Sequence, residues 1–406
     1  MSGHFSWAET GPSAQLLELL NQHGEARFVG GCVRDSLLGR PPGAPGATDI
    51  DVATTLLPDD VTRILSDAGW GVIPTGVEHG TVTAIFDHLP YEITTLRSDV
   101  STDGRRATVA FTTDWAADAA RRDFTINALY LSCNGEVFDP AGGQSDLHLK
   151  RVRFIGKAQD RIKEDYLRIL RFLRFSARFS GQLDQLGWQA CCVGRAGIGQ
   201  LSKERIWQEL QKLFVAQYAP PILDAAARGG ILDELSPIPA AVSQFAMAHA
   251  EVEANLSPSL GLACLWPTMD RDTIAAQFKP SRAILDGVDA LRGAAFALVK
   301  SVTAQEVAYR FGATALFEGA VWGLTSASAD RSEAEWRHIV QNAGGIVVPP
   351  CPYRGADLLR KGIEPGPVIG ELLSRVERAW VREGFPSDRE KQQALLDKVV
   401  ATAEKP

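Results

Sequence analysis

The spacing of hydrophobic and polar residues changes near residue 150. Before that point, short runs rich in β-branched and aromatic residues alternate with stretches whose apolar positions recur every three to four residues. The predicted strands are 26–31, 48–54, 81–86 and 91–97, and the predicted helices are 13–23, 33–39 and 58–69. After about residue 155, helices are predicted at 160–180, 202–217, 221–229, 239–253, 303–310, 331–342, 367–383 and 387–403. The expected fold class is therefore α+β, with a mixed N-terminal unit followed by an all-α remainder.

One predicted helix includes the sequence KEDYLRILRFLR, residues 163–174, which carries a stripe of charge. At 100° per residue, the acid Glu164 and the arginines share one face, and the apolar residues cluster opposite. This spacing predicts ion pairs of Arg168 with Glu164 and with Asp165. A charged stripe alone is typical of a solvated helix face, so a functional interpretation depends on other motifs.

Composition excludes several classes of protein. Hydrophobic residues make up 45% of the chain, and no apolar run approaches the ~18 residues that span a bilayer, so no membrane partner is expected. The N-terminus lacks the basic and apolar segments of a secretory signal, which predicts a cytoplasmic location. The six cysteines have neither the spacing of a zinc site nor the density of a disulfide scaffold.

Charge is distributed unevenly along the chain. The formal net charge is −7, yet residues 150–178 contain ten Lys and Arg against three Asp and Glu. A basic segment in an otherwise acidic chain is consistent with a phosphate-bearing ligand held at one place, rather than with a protein that coats nucleic acid.

Glycines and carboxylates in the first hundred residues suggest a nucleotide site. Gly30 and Gly31 join a predicted strand to a helix, which lets backbone N–H groups approach a phosphate, although such pairs are often simple tight turns. Asp49 and Asp51 are two apart in an extended segment, so their carboxylates share one face. Magnesium would relieve the repulsion between them, because it is bound by carboxylates together with substrate phosphates. Glu92 is a candidate third carboxylate.

The segment RRDFTINALY, residues 121–130, adds further polar groups. Arg121 and Arg122 could clamp a triphosphate, and Asp123 or Asn127 could contact ribose hydroxyls. Alternatively, these residues only cap the end of a helix and contribute surface charge.

In order along the chain, the motifs GGCVRD, Asp-x-Asp, RRDFTINA, FDPAGG and EDYLRILR resemble the class II tRNA nucleotidyltransferases, which add or repair the 3′ CCA end of tRNA. The resemblance covers about residues 26–180, and residues 355–373 are similar to a C-terminal element of these enzymes. It implies a polymerase-β-like head with a five-stranded mixed sheet. The implied domains are a catalytic head at 1–150, a base-recognising neck at 151–220, a body at 221–310 and a tRNA-binding tail at 311–406.

The resemblance also implies roles for individual residues. Asp49, Asp51 and Glu92 are the implied catalytic acids, and the two aspartates bind magnesium. The implied nucleotide-binding residues are Gly31 and Arg34 on the phosphates, together with Arg122, Asp165, Arg168, Arg171 and Arg174, while Asp123 and Asn127 remain the candidates for ribose contacts. One departure from the family is a longer loop at 40–47, which is expected to be exposed.

The charged helix then has a chemical role. Cytosine and adenine both present an amino donor beside a ring-nitrogen acceptor, whereas uracil and guanine present an acceptor beside a donor. Asp165 can accept from the amino group, and Arg168 can donate to the ring nitrogen. The same two side chains therefore admit CTP and ATP without a nucleic-acid template and oppose UTP and GTP. Arg171 and Arg174 would face the triphosphate, and Glu164 would hold an arginine in place.

The predicted function is addition or repair of the tRNA CCA end by two-metal nucleotidyl transfer with pyrophosphate release. The predicted partners are the acceptor arm and 3′ end of tRNA, CTP and ATP, with phosphate contacts from the neck, body and tail. A flexible loop at 98–113 is expected to permit the change from CTP to ATP, and His79 is expected to have a structural hydrogen-bonding role.

Two alternatives remain open. Bacterial poly(A) polymerase belongs to the same superfamily, but its arginine-rich stretch after the Asp-x-Asp strand has no counterpart at 76–86. The other alternative is an RNA-binding protein that kept the head fold and lost activity. The presence of all three carboxylates argues against it, because a binder does not need acids beside a polyanion.

Overall fold

The computed structural model describes residues 5–44, 49–73, 80–87, 89–103, 106–253, 255–300, 302–326 and 331–403. His79 and part of the longer loop at 40–47 lie outside the described residues. Contacts divide the chain into two compact units: Met1–Val242 with Ala276–Lys279, and Ser243–Ala275 with Pro280–Pro406. The division into four domains predicted from the sequence stays a prediction.

A mixed sheet organises the first unit. Its described strands are β1 (Ala26–Val29), β2 (Ile50–Thr54), β3 (Gly71–Ile73), β4 (Thr81–Phe86), β5 (Leu89–Thr95), β8 (Tyr130–Leu131) and β9 (Val137–Phe138), in the order β3-β4-β5-β2-β1-β8-β9. Strands β2 and β5 are parallel, and the other neighbours are antiparallel. The sheet has seven described strands, so the expectation of five is wrong. The four strands predicted from the sequence pattern are present, and β3, β8 and β9, of two or three residues each, are too short to give a sequence signal. The predicted α+β class is confirmed.

Most of the segment expected to be a flexible loop is a hairpin. Strand β6 (Arg97–Asp103) pairs antiparallel with β7 (Arg106–Phe111), and the register shifts between Asp99 and Ser101. The strands were not predicted because this polar stretch lacks the alternation of hydrophobic residues that marks a strand. The flexibility expected of the segment stays a prediction.

Helices cover the sheet and complete the first unit. They are α1 (Ser6–Glu9), α2 (Gly11–Asn21), α3 (Gly31–Leu37), α4 (Pro58–Asp67), α5 (Trp115–Ala120), α6 (Gly143–His148), α7 (Ala158–Glu164), α8 (Leu167–Phe179), α9 (Gln185–Gly194), α10 (Lys203–Phe214), α11 (Ala219–Arg228) and α12 (Ile231–Leu235). Helices α2 and α3 pack on β1. Leu16, Leu17 and Phe28 are fully buried, so this part of the core lies between the helices and the sheet.

The predicted continuous helix at 160–180 is broken. Asp165 has an extended backbone (φ −154°, ψ 107°) between α7 and α8. Its Oδ1 accepts a hydrogen bond from the Leu167 N–H at 3.1 Å, which replaces a helical partner with a local side-chain bond. The ring of Tyr166 fills the space at Gly197, where an added Cβ would lie 2.1 Å from it. The periodicity of the apolar residues continues across the break, which is why the sequence concealed it.

The second unit is helical. Its helices are α13 (Val242–Glu251), α14 (Pro258–Leu265), α15 (Arg271–Phe278), α16 (Arg282–Val299), α17 (Ala304–Phe311), α18 (Ala313–Thr325), α19 (Glu333–Asn342), α20 (Gly355–Leu359), α21 (Pro367–Arg382) and α22 (Arg389–Ala403), although the first residue of α13 and the end of α15 belong to the first unit. A core around Leu372, Val376 and Trp380 joins α21 to α22. No helix among the described residues combines the length and apolar character needed to traverse a bilayer.

Candidate active site

One cavity of about 900 Å³ in the first unit is lined by twelve of the site residues predicted from the sequence, but not by Arg121, which pairs with Asp118 instead. The twelve are Gly31, Arg34, Asp49, Asp51, Glu92, Arg122, Asp123, Asn127, Asp165, Arg168, Arg171 and Arg174. Gly30, the first residue of the predicted glycine pair, also lines the cavity, and three residues that the sequence interpretation did not assign complete the lining: Phe175, Arg178 and Lys212. Basic side chains outnumber acidic ones in this wall, so the cavity is suited to a polyanion.

The three predicted catalytic acids come from two adjacent parallel strands. Asp51 on β2 is directly opposite Glu92 on β5, and Asp49 lies just before β2 begins. Burial, followed by the charge of Glu92, raises the pKa of Asp51 to about 6, and the charge of Asp49 adds to the rise. Carboxylates that repel one another in this way favour a cation between them.

The acids fit a divalent ion that takes most of its ligands from elsewhere. Among the described residues, no group of three or more His, Cys, Asp or Glu is placed to hold a metal ion. Asp49 and Asp51 nevertheless line the cavity together, and Mg²⁺ characteristically takes one or two carboxylates and completes its shell with water and substrate phosphates. The donor set is therefore compatible with a metal that binds together with a nucleotide.

The glycine pair brings a strand end and a helix start against the cavity. Gly30 has φ of 74°, a left-handed conformation that side chains other than glycine rarely adopt. Gly31 then begins α3, and the Gly30 carbonyl accepts the N–H of Arg34 at 3.0 Å. Backbone conformation therefore accounts for glycine at position 30.

The buried Arg34 already has protein partners. Its Nε donates to Asp35 Oδ1 at 2.8 Å, and its Nη1 donates to Asn127 Oδ1 at 2.6 Å. Asn127 in turn donates to Asp123 at 3.0 Å, and Asp123 accepts from Arg171 Nε at 2.7 Å. These residues form one network at the wall of the cavity, so the predicted phosphate and ribose contacts would be made by groups that the network holds in place.

An aromatic ring lies beneath the arginine cluster. Phe175 is within cation–π distance of three guanidinium groups, at 4.1 Å for Arg174, 5.4 Å for Arg34 and 5.5 Å for Arg171. The negative face of the ring attracts these cations, which offsets part of their mutual repulsion. Phe175 has the i+4 spacing from Arg171 that could have identified it from the sequence.

Two buried acids hold the arginines of the cavity. Asp118 accepts from Arg122 at 3.1 Å and from the Tyr130 hydroxyl at 2.8 Å. Glu209 on α10 accepts from Arg174 Nε at 2.5 Å and lies 3.9 Å from Arg171. Neither acid was assigned from the sequence, because both act through contacts that only the fold creates.

The predicted base-reading residues are held separately. Arg168 Nη1 donates to Glu164 Oε2 at 2.6 Å and to the Arg161 carbonyl at 2.8 Å, so the predicted Glu164–Arg168 ion pair is confirmed. The predicted Asp165–Arg168 ion pair is wrong. The break before α8 turns the Asp165 carboxylate to Arg205, whose Nη2 donates to Oδ2 at 2.8 Å.

Comparison with known proteins places the chain in a family. Residues 26–153 match the family described as the Poly A polymerase head domain. Over 393 residues the chain is 33% identical to the CCA tRNA nucleotidyltransferase 1, mitochondrial, of Mus musculus, which covers 94% of this chain and 89% of the relative. The chain belongs to the CCA tRNA nucleotidyltransferase family. The resemblance inferred from the motifs is confirmed, and the chain is an enzyme of the nucleotidyltransferase class, which implies use of a divalent metal.

A second relative supports the same assignment, and two solved structures share the fold. The CCA-adding enzyme of Lactiplantibacillus plantarum is 32% identical over 411 residues, which cover 96% of each chain. A crystal structure of the Bacillus stearothermophilus CCA-adding enzyme in complex with CTP has a similar fold, with a TM-score of 0.73 and 24% identity over 98% of this chain and 100% of that one. The Thermotoga maritima enzyme complexed with tRNA has a TM-score of 0.67 at 20% identity over 98% and 97%.

Proposed function

We propose that this chain adds or repairs the 3′ CCA end of tRNA, using CTP and ATP and no nucleic-acid template. One observation carries the proposal for the site: the paired acids Asp51 and Glu92, the arginine cluster and the base-reading candidates Asp165 and Arg168 line the same cavity. A nucleoside triphosphate needs all three features, for the reacting phosphate, the remaining phosphates and the base. The relatives named CCA-adding enzymes support this substrate assignment.

The acids provide the reacting end of the cavity. Asp49 and Asp51 are the residues that would hold the metal, and magnesium is the proposed ion. When bound, such ions lower the pKa of an attacking hydroxyl and neutralise charge on a leaving pyrophosphate. The oxygen of the tRNA 3′ hydroxyl forms a bond to the α-phosphorus as the bond to pyrophosphate breaks. Glu92, opposite Asp51, is the proposed third acid beside that hydroxyl.

The arginines bind and orient the triphosphate. Arg171 and Arg174 lie one helical turn apart on α8 and are held by Asp123 and Glu209. Because their positions are fixed before the nucleotide arrives, little ordering is needed on binding. Arg122, held by Asp118, provides a further positive charge at the wall.

Base choice is proposed to come from Asp165 and Arg168. The carboxylate of Asp165 only accepts, and the guanidinium of Arg168 only donates. Cytosine and adenine satisfy both groups, whereas uracil and guanine would leave an acceptor facing an acceptor and a donor facing a donor. A site of this kind can reject the wrong base by a factor of about 10⁴.

The proposed partner is the acceptor arm and 3′ end of tRNA. The Thermotoga maritima structure named above is a complex with tRNA, which supports the same class of partner here. A cytoplasmic location is likewise a proposal, and it rests on the sequence alone. The Mus musculus relative is named as a mitochondrial enzyme, so the compartment differs within the family.

The test uses a tRNA transcript that lacks CCA, with each nucleotide supplied alone and in mixtures. We expect two cytidine additions with CTP, a single adenosine addition that requires those cytidines, and no product with UTP or GTP. An adenosine tail that continues to grow would instead identify a poly(A) polymerase.

A variant separates catalysis from binding. Asp51→Ala should abolish incorporation while tRNA affinity, measured by filter binding, stays within about twofold, because Asp51 contacts the reacting centre rather than the tRNA body. If the variant turns over as fast as the unmodified enzyme, Asp51 does not bind a catalytic metal. If neither the variant nor the unmodified enzyme incorporates nucleotide, the chain is better described as an inactive RNA-binding protein.

A further inference from the structure

Helix α10 carries a polar stripe that contacts residues of the cavity wall. Arg205, Glu209 and Lys212 are spaced i, i+4 and i+7, so they lie on one face of the helix. This helix packs against α8, which carries the arginine cluster. Arg205 contacts Asp165, Glu209 contacts Arg174, and Lys212 lines the cavity itself.

The contact between Arg205 and Asp165 has a particular importance. Asp165 lies in the break between α7 and α8, so no regular helix fixes its direction. Two hydrogen bonds fix its carboxylate instead: Oδ1 accepts the Leu167 N–H at 3.1 Å, and Oδ2 accepts from Arg205 Nη2 at 2.8 Å. Arg205 is the only side chain from outside this segment that bonds to Asp165 among the described residues.

We propose that Arg205 is a positioning residue that sets base choice by holding the Asp165 carboxylate where the amino group of cytosine or adenine must bind. This inference rests on the proposed function, in which Asp165 accepts from that amino group. Arg205 does not line the cavity, so it acts through Asp165 and not on the nucleotide. Without Arg205, the carboxylate of Asp165 can rotate, because only the Leu167 N–H and water remain to hold it.

The alternative is an ordinary surface ion pair. The side chains of Arg205 and Asp165 are 47% and 32% exposed, and exposed pairs often contribute little to stability. The same helix offers a matched control, because Glu204 pairs with Lys279 at the same 2.8 Å, with exposures of 52% and 57%, and neither residue lines the cavity. If Arg205 only stabilises the helix, losing either ion pair should change base selectivity equally. If Arg205 positions Asp165, only the loss of the Arg205–Asp165 pair should change it.

The experiment compares Arg205→Ala, Arg205→Lys and Lys279→Ala in the full chain. The readout is the ratio of kcat/KM for CTP to that for UTP on a tRNA transcript lacking CCA. We expect the ratio to fall about fivefold or more in Arg205→Ala, to recover partly in Arg205→Lys, and to stay unchanged in Lys279→Ala. An unchanged ratio in Arg205→Ala, or an equal fall in Lys279→Ala, would overturn the inference.

A nucleotide analogue makes the readout specific to the amino group. Pyrimidin-2-one ribonucleoside triphosphate keeps the ring-nitrogen acceptor of cytosine and lacks the amino donor. The preference of the enzyme for CTP over this analogue should shrink about fivefold or more in Arg205→Ala, because the lost contact is the one that Asp165 makes. A preference that remains intact would contradict the inference.

A double variant shows whether Arg205 acts through Asp165. In the Asp165→Ala background, adding Arg205→Ala should leave the CTP-to-UTP ratio within about twofold, since the group that Arg205 holds is already gone. A further fall equal to that of the single variant would overturn the inference. Failure of the proposed function is distinguishable, because the unmodified enzyme would then incorporate no CMP at all.

Discussion

Replacement of Asp51 by Asn is expected to stabilise the metal-free protein while it destroys activity. In the folded chain, burial and the neighbouring Glu92 raise the pKa of Asp51 from its ordinary value of 3.8 to about 6. At about 1.4 kcal/mol for each tenfold change in proton affinity, holding this carboxylate ionised at pH 7 costs about 3 kcal/mol of folding free energy. Asparagine has a similar shape without the charge, so it removes that cost.

The same pKa fixes the dependence on pH. When the pKa of a carboxyl group is higher in the folded than in the unfolded protein, the free energy of unfolding falls as the pH rises between those two pKa values, here between about 4 and 6. The gain from Asp51→Asn should therefore be about 3 kcal/mol at pH 7 and roughly half of that at pH 5.

The assay is urea unfolding with a metal chelator present, at pH 5 and pH 7, with Asp60→Asn as the control. Asp60 is an exposed acid on α4, 3.2 Å from Arg63, so its replacement should change the unfolding free energy by less than about 0.5 kcal/mol at both pH values. Added magnesium should stabilise the unmodified chain and not the Asp51→Asn variant. A variant that is less stable than the parent, or a gain independent of pH, would refute the electrostatic account of the acid pair.

Three further substitutions test other parts of the structure. Arg168→Ala should reduce the preference for CTP over UTP by at least about tenfold, and unaltered discrimination in the incorporation assay would contradict the base-reading role. Glu209→Gln should raise KM for CTP and ATP alike and lower the unfolding free energy by roughly 3 kcal/mol, because the buried guanidinium of Arg174 keeps an acceptor but loses its counter-charge; a change in CTP-to-UTP selectivity would argue against a phosphate-orienting role. Gly319→Ala should destabilise the second unit by roughly 1–3 kcal/mol in urea unfolding, because the new methyl would lie 2.6 Å from the Leu291 carbonyl, whereas Gly344→Ala, which meets no atom within 4 Å, should have little effect.

The residues that line the cavity could be predicted because most of them lie in short, ordered motifs. Asp49 and Asp51 share a face through the two-residue period of an extended chain, and Glu164 and Arg168 meet through helical spacing. Contacts between distant segments could not be predicted in the same way. The position of Glu92 opposite Asp51 depends on strand register, and the Arg205–Asp165 bond joins residues 40 apart in the chain.

The missed secondary structure has equally specific causes. The break at Asp165 comes from a side chain that competes for a backbone N–H, which the hydrophobic period does not register. Helices α16 and α18 were not predicted, and each contains two glycines, which are poor helix formers. In α18 the close approach to α16 explains one of them, because any side chain at Gly319 would collide with the neighbouring backbone.

Side chains of this protein, and no nucleic-acid template, are proposed to read the base of the incoming nucleotide. The most direct measurement is a crystal structure of the enzyme with CTP and magnesium. The cytosine amino nitrogen should lie within about 3.2 Å of an Asp165 oxygen, and the ring nitrogen should lie at a similar distance from Arg168. A cytosine ring bound away from both side chains would contradict it.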